Sequence, residues 1–198
     1  MKYRKRVNDM AQSVHTISFL HAWMQHNISE GACCIDATAG KGKDTAFLAD
    51  LVGETGNILA IDIQQEAIDA TASYLNKKGL ADRVTLVLDS HANIANYAEP
   101  NSVDCIVFNL GYLPGGDHNI ATKGDSTIIA LEQSLKLLKP LGMIALAIYH
   151  GGDSGFEERD AVLEWLKTVD HKLYTVIVTD FYNRPNNPPL AVCIIREE

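Results

Sequence analysis

Apolar positions recur along the chain in two alternating rhythms. From Asp9 to Gln25, Val14, Ile17, Leu20, Trp23 and Met24 return at helical spacing, which predicts an amphipathic helix ahead of any strand. Cys33 to Ala37 is a short, buried strand ended by a glycine-bearing turn, and Lys43 to Val52 a helix stopped by Gly53. Asn57 to Ile63 predicts a second strand, Gln65 to Lys78 a helix with Gly79 past its end, and Arg83 to Leu88 a third strand. After a short helical stretch, Val103 to Phe108 is a strongly apolar fourth strand. Ser126 to Leu138 then reads as a helix closed by Lys139-Pro140, and Gly142 to Tyr149 as a fifth strand.

Strands alternating with helices in this way imply a parallel sheet covered on both faces. The end of the chain breaks the rhythm: a helix over Phe156 to Lys167 is followed by two strands, Leu173 to Asp180 and Leu190 to Arg196, joined by a polar loop without a helix. A hairpin is the short connection available, so the last strand is expected to run antiparallel. The expected fold is α/β, a seven-stranded, mostly parallel sheet with one antiparallel strand and helices on both faces. A length of 198 residues suits one domain, with a basic segment and helix over 1–30 leading into a core over 31–198.

Composition narrows the class. Apolar residues at 46% and charged residues at 21% fit a soluble globular chain. No apolar run approaches the roughly 20 residues needed to span a bilayer, and the polar, basic opening is not a signal peptide. Cys33, Cys34, Cys105 and Cys193 all fall in strand-like apolar runs, which reads as reduced core thiols and a cytoplasmic protein. Adjacent Cys33 and Cys34 point to opposite faces of a strand, so no metal site is expected. The net charge of −8 argues against a polyanionic partner at first sight, yet Lys2, Arg4, Lys5 and Arg6 gather four of the 17 basic residues at one end. Phosphate attraction is local, screened beyond roughly 8–10 Å at physiological salt.

In open α/β sheets ligands bind beyond the carboxyl ends of the strands. After the first strand comes Asp36-Ala37-Thr38-Ala39-Gly40-Lys41-Gly42-Lys43-Asp44, a tight turn entering a helix, whose two glycines let a ligand approach the helix-start amides. After the second strand, Asp62, with Ile63 beside it, is placed to accept both hydroxyls of a ribose. A dinucleotide would want a third glycine where Asp44 stands, and that carboxylate opposes phosphate. S-adenosylmethionine carries none: its carboxylate can use the helix amides, Asp36 suits its ammonium group, and Asp89-Ser90-His91 would lie by the adenine.

The segments 36–45, Phe108 to Asp117, Tyr149-His150-Gly151-Gly152-Asp153 and Asn183 to Pro189 resemble class I methyltransferases of Rossmann-like fold, more narrowly the bacterial family named "Putative rRNA methylase". The resemblance covers nearly the whole chain and departs at Thr38, where many such enzymes carry glycine. It implies S-adenosylmethionine as cofactor, with Asp36, Thr38, Gly40, Gly42, Asp44, Thr45, Asp62, Ile63, Asp89, Ser90, His91, Asn109 and Leu110 around it. It also implies action on tRNA, methylating the aminomethyl group of a wobble 5-aminomethyl-2-thiouridine, and a homodimer.

Asn109-Leu110-Gly111-Tyr112 is similar to the Asn/Asp-Pro-Pro-Tyr segment with which amino-methyltransferases grip a target nitrogen. Methyl transfer is an in-line displacement, so the nitrogen must be aimed at the methyl from roughly 3–3.5 Å. Asn109 can accept an N–H, and Tyr112 can stack on a base. Asp117, His118 and His150 are the candidates for removing the amine's proton. Lys123, Tyr182, Arg184, Asn186 and Asn187 are candidates for gripping RNA, with the anticodon stem-loop as the expected partner. A small-molecule N- or O-methyltransferase and an rRNA base methyltransferase are the alternatives. A non-catalytic nucleotide binder or an oxidoreductase of similar fold would have no use for the amine clamp.

Overall fold

The computed structural model describes residues 15–111, 124–149, 155–185 and 188–198. The first described helix, α1 (Thr16–Asn27), begins where His15 caps it: the His15 ring accepts the Ser18 N–H, and the Ser18 hydroxyl accepts the His15 N–H in return. β1 (Cys33–Asp36), α2 (Lys43–Val52), β2 (Asn57–Asp62), α3 (Gln65–Lys78) and β3 (Val84–Leu88) follow as the periodicity predicts. Short 3₁₀ turns at Ala81–Arg83 and His91–Asn96 flank β3. The remainder is β4 (Val103–Leu110), α4 (Gly124–Leu137), β5 (Leu138–Ile148), α5 (Gly155–Leu166), β6 (Tyr174–Thr179) and β7 (Leu190–Arg196).

The seven strands lie in the order β3-β2-β1-β4-β5-β7-β6. Every pairing among the first five is parallel, and β7 runs antiparallel to both β5 and β6. The chain winds outward from β1 through β2 to β3, then returns to β4 on the other side of β1. Strand order therefore reverses between β1 and β4, and in open α/β sheets ligands bind beyond the carboxyl ends of the strands at such a point.

Period-two alternation sends neighbouring side chains to opposite layers. Cys105 and Val107 of β4 join Leu20, Met24, Leu48, Val52 and Leu75 on one face, while Ile106 and Phe108 join Ile94, Leu131, Leu146 and Val162 on the other. Small Ala145 and Ala147 of β5 lie on the first face and let α1 settle onto β5 and β7. That packing makes α1 part of the core layer on this face.

Two strands begin or end differently from the pattern. β4 runs two residues beyond Phe108, pairing Asn109 with Ala147 and Leu110 with Ile148, so Asn109 sits within the ladder. β5 starts at Leu138 and passes through Lys139-Pro140, because Leu138 pairs with Val103 before a bulge resets the register at Cys105 and Met143. Leu141 in that bulge is held at a φ of 65°. The four cysteines are free, and burial holds their thiols above the ordinary range, Cys193 at about 11. Among the described residues no helix is long and apolar enough to cross a membrane, and no cluster of metal-ligating side chains occurs.

Candidate functional site

The turn after β1 is tied to both neighbouring strands. The Ala37 N–H donates to the Val107 carbonyl on β4 and the Ala39 N–H to the Ile61 carbonyl on β2, each at 2.9 Å. Asp62 locks the turn further, one carboxylate oxygen accepting the Gly40 N–H and the other the Gln64 N–H, both at 2.9 Å. Each oxygen retains a second lone pair, which suits a diol approaching from beyond the carboxyl ends of the strands. Ile63 follows with 64% of its surface exposed, an apolar shelf beside that carboxylate.

Gly42 heads α2 in the left-handed region, at a φ of 74°, and no side chain caps the helix. The first amides of α2 are therefore donors suited to an anionic group. Asp36 is placed differently from a surface carboxylate. It is fully buried, accepting the Thr45 hydroxyl at 2.6 Å and the Thr38 N–H at 3.1 Å. Burial, and then the charge of Asp44, push its pKa up to about 7. Thr45 is itself buried and serves Asp36.

At the end of β3, Asp89 accepts from the Tyr97 hydroxyl, the Asn93 amide and the Ser90 N–H, and these bonds hold its carboxyl below the usual range. The Ser90 side chain caps the following 3₁₀ turn. His91 meets the Phe108 ring edge-on, and burial lowers its pKa. Its Nε2 is buried without a hydrogen-bond partner among the described residues.

These features fit S-adenosylmethionine part by part. The uncapped amides of α2 suit the carboxylate, Asp62 the ribose, and Ile63 the face of the adenine, while the unmet Nε2 of His91 is a polar atom for a ligand to satisfy. Leu110 is fully buried and offers only backbone, its carbonyl already accepting the Tyr149 N–H at 3.2 Å.

Asn109 stands near the carboxyl end of β4, tied to the same turn. Its N–H donates to the Thr38 hydroxyl at 2.7 Å, and its side-chain Nδ2 donates to Asp44 Oδ2 at 2.6 Å. Threonine in place of glycine at position 38 thus links the turn to β4. Asp44 Oδ1 in turn lies 2.5 Å from His21 Nε2 on α1, and the His21 ring stacks on Phe47 with centroids 3.7 Å apart. Tyr149 borders the group: a Cβ on Gly111 would lie 3.4 Å from it, and burial with the nearby Asp44 charge raises its hydroxyl pKa.

Further along the same sheet end, Tyr182 is 96% exposed. Arg184 lines a hollow of about 390 Å³ with Arg159, Asp180 and Phe181. Sequence patterns give no site role to His21, Tyr97 or Arg159, and Tyr149 stands only within the segment Tyr149 to Asp153 that carries the family resemblance. Tyr112, Asp117, His118, Lys123, His150, Asn186 and Asn187, with the basic residues Lys2, Arg4, Lys5 and Arg6, lie outside the described residues.

The model of the "Putative rRNA methylase" family matches residues 58–195, most of the chain, from β2 into β7. The chain belongs to this family. The Protein-L-isoaspartate(D-aspartate) O-methyltransferase model matches residues 4–107, the part holding the glycine turn and Asp62. A chloroplastic tRNA (mnm(5)s(2)U34)-methyltransferase of Arabidopsis thaliana is 34% identical over 186 residues, covering 89% of this chain and 68% of its own. A Clostridium thermocellum structure described as a "putative rRNA-methylase" superposes with a TM-score of 0.90 at 46% identity, over 93% of this chain and 99% of that one. A Streptococcus mutans methyltransferase solved with S-adenosylhomocysteine (SAH) matches at 0.84 and 31%, with the same coverage. This family member is accordingly an S-adenosylmethionine-dependent methyltransferase with a Rossmann-like class I fold.

Proposed function

We propose that this methyltransferase acts on tRNA, N-methylating the aminomethyl group of 5-aminomethyl-2-thiouridine at the wobble position. The observation that carries the reading is the hold on Asn109. A carboxylate only accepts hydrogen bonds, so the Asn109 NH₂ must face Asp44 and its carbonyl oxygen must turn away. An amide locked in that sense presents an acceptor for the N–H of an incoming amine and aims the nitrogen lone pair. When bound, the cofactor supplies an electrophilic methyl on a sulfonium, so positioning the nitrogen is the protein's main task.

The relative with a tRNA wobble-uridine name supports the choice of nucleoside. Tyr182, Arg184 and Arg159 lie at the carboxyl end of β6, which runs parallel to β5 and ends on the side of the sheet that carries the site. An exposed aromatic with two guanidinium groups suits a base and phosphates of an anticodon stem-loop. The same reading takes the protein as a cytoplasmic homodimer.

Incubating the purified protein with methyl-labelled S-adenosylmethionine and tRNA rich in aminomethyl-thiouridine tests the proposal. Nucleoside mass spectrometry is expected to show one methyl gained on that uridine. Label passing to small amines while tRNA stays unmodified would overturn it in favour of a small-molecule enzyme.

A further inference from the structure

Helix α1 lies ahead of the first strand, yet one of its side chains reaches the reactive end of the site. His21 Nε2 lies 2.5 Å from Asp44 Oδ1, with the two side chains 26% and 15% exposed. Because the carboxylate accepts only, Nε2 must carry the hydrogen, whatever the state of the other ring nitrogen. The opposite carboxylate oxygen accepts from Asn109 Nδ2 at 2.6 Å. The three side chains come from α1, the start of α2 and the end of β4, and none is adjacent in sequence to another. Parallel stacking of the imidazole on Phe47, at 3.7 Å and 3° between planes, fixes the ring plane.

Without His21, the Asp44 carboxylate could rotate about its last torsion and release the Asn109 amide. With it, both oxygens are engaged and the carboxylate plane is set from two sides. We infer that His21 is a positioning residue for methyl transfer, acting through Asp44 to hold the Asn109 amide in the orientation that receives the substrate nitrogen. The inference rests on the amine-gripping role given to Asn109 above. It also gives α1 a part in the chemistry: the helix clamps the reactive asparagine from outside the βαβ core.

Two substitutions at position 21 separate the donor from the ring. His21→Phe keeps an aromatic face for Phe47 and removes the donor; His21→Gln keeps a donor and removes the ring. Methylation of aminomethyl-thiouridine tRNA is measured for both, for Asn109→Ala and for the double variant His21→Phe/Asn109→Ala. The expected result is a kcat roughly tenfold lower in His21→Phe, the scale of one positioning hydrogen bond. The KM for S-adenosylmethionine stays unchanged, His21→Gln recovers most of the loss, and the double variant is no slower than Asn109→Ala alone. A loss in His21→Phe that persists in full without Asn109, or no loss at all, would overturn the inference.

The side-chain amide signals of Asn109 in a ¹⁵N-correlated proton spectrum, assigned by their disappearance in Asn109→Ala, provide a readout without substrate. They are expected to move in His21→Phe and to return toward the wild-type position in His21→Gln. Unmoved signals in both variants also overturn the inference. Wild-type kcat in Asn109→Ala would instead sink the amine-gripping reading. Wild-type protein that leaves this tRNA unmethylated would sink the nucleoside assignment, and the amide signals would still decide the His21 linkage.

Discussion

Replacing Gly42 with alanine is expected to damage both stability and cofactor binding, by an amount that can be built up from its surroundings. The residue sits at a φ of 74°, where an L side chain costs about 1–2 kcal/mol relative to glycine. A Cβ there would also lie 3.0 Å from the Thr71 Cα and Cγ2 and 3.1 Å from its hydroxyl oxygen. Thr71 cannot swing away: it is fully buried in α3, and its hydroxyl donates to the Gly40 carbonyl at 3.1 Å. Pushing α3 from the turn adds about 1–3 kcal/mol of overpacking. The middle of the combined range, about 3.5 kcal/mol, corresponds to a drop in Tm of roughly 7–14 °C for a domain of this size. Gly79→Ala is the control, since it shares a positive φ of 69° but its Cβ meets nothing within 4 Å. It should lose only the conformational part, about 1–2 kcal/mol. Calorimetric unfolding with SAH titration of both variants checks the reasoning. Gly42→Ala should weaken SAH at least tenfold through the displaced turn, and Gly79→Ala should not. Equal losses of Tm, or normal SAH affinity in Gly42→Ala, would refute the argument.

Other consequences can be measured separately. Because the pKa of Asp36 is raised to about 7 in the fold, its contribution to stability is fully present below the unfolded carboxylate range and is lost as pH rises through 7. Urea unfolding from pH 4 to 8 should therefore fall more steeply with pH in wild type than in Asp36→Asn. Asp62→Ala removes the acceptor for two backbone amides and the proposed acceptor for the ribose, and should weaken SAH roughly 10- to 100-fold by titration calorimetry. Leu141, 62% exposed at a φ of 65°, is strained without a packing return. Leu141→Asn should stabilise the protein by about 0.5–1 kcal/mol in chemical denaturation. Arg184→Ala should weaken tRNA binding and flatten its dependence on salt in filter-binding assays.

The sheet was legible in the sequence because its signals are local. Apolar runs such as Val103 to Phe108 and the glycines that end helices each lie within a few residues of what they determine. Even the antiparallel end followed from the shortness of the loop between β6 and β7. Local reading erred where a distant strand decides the outcome: Lys139-Pro140 reads as a breaker, yet Leu138 is already paired to Val103 across the sheet. The site divides along the same line. Asp62 and the glycine turn are recognisable from their position after strands. His21 looks like an ordinary polar position on an amphipathic helix, because its partner Asp44 stands 23 residues away and Asn109 a further 65. Asp36 was visible as a strand-end carboxylate, but its burial depends on Thr45 folding over it from the next helix turn.

On the proposed function, Asn109 grips an amine that belongs to a modified uridine of tRNA. This reading is tested most directly by the nucleoside profile of tRNA from cells that lack this protein. Aminomethyl-thiouridine should accumulate at the expense of its methylated form, and wild-type protein should restore the balance where Asn109→Ala does not. An unaltered tRNA profile beside a changed pool of small methylated amines would contradict it.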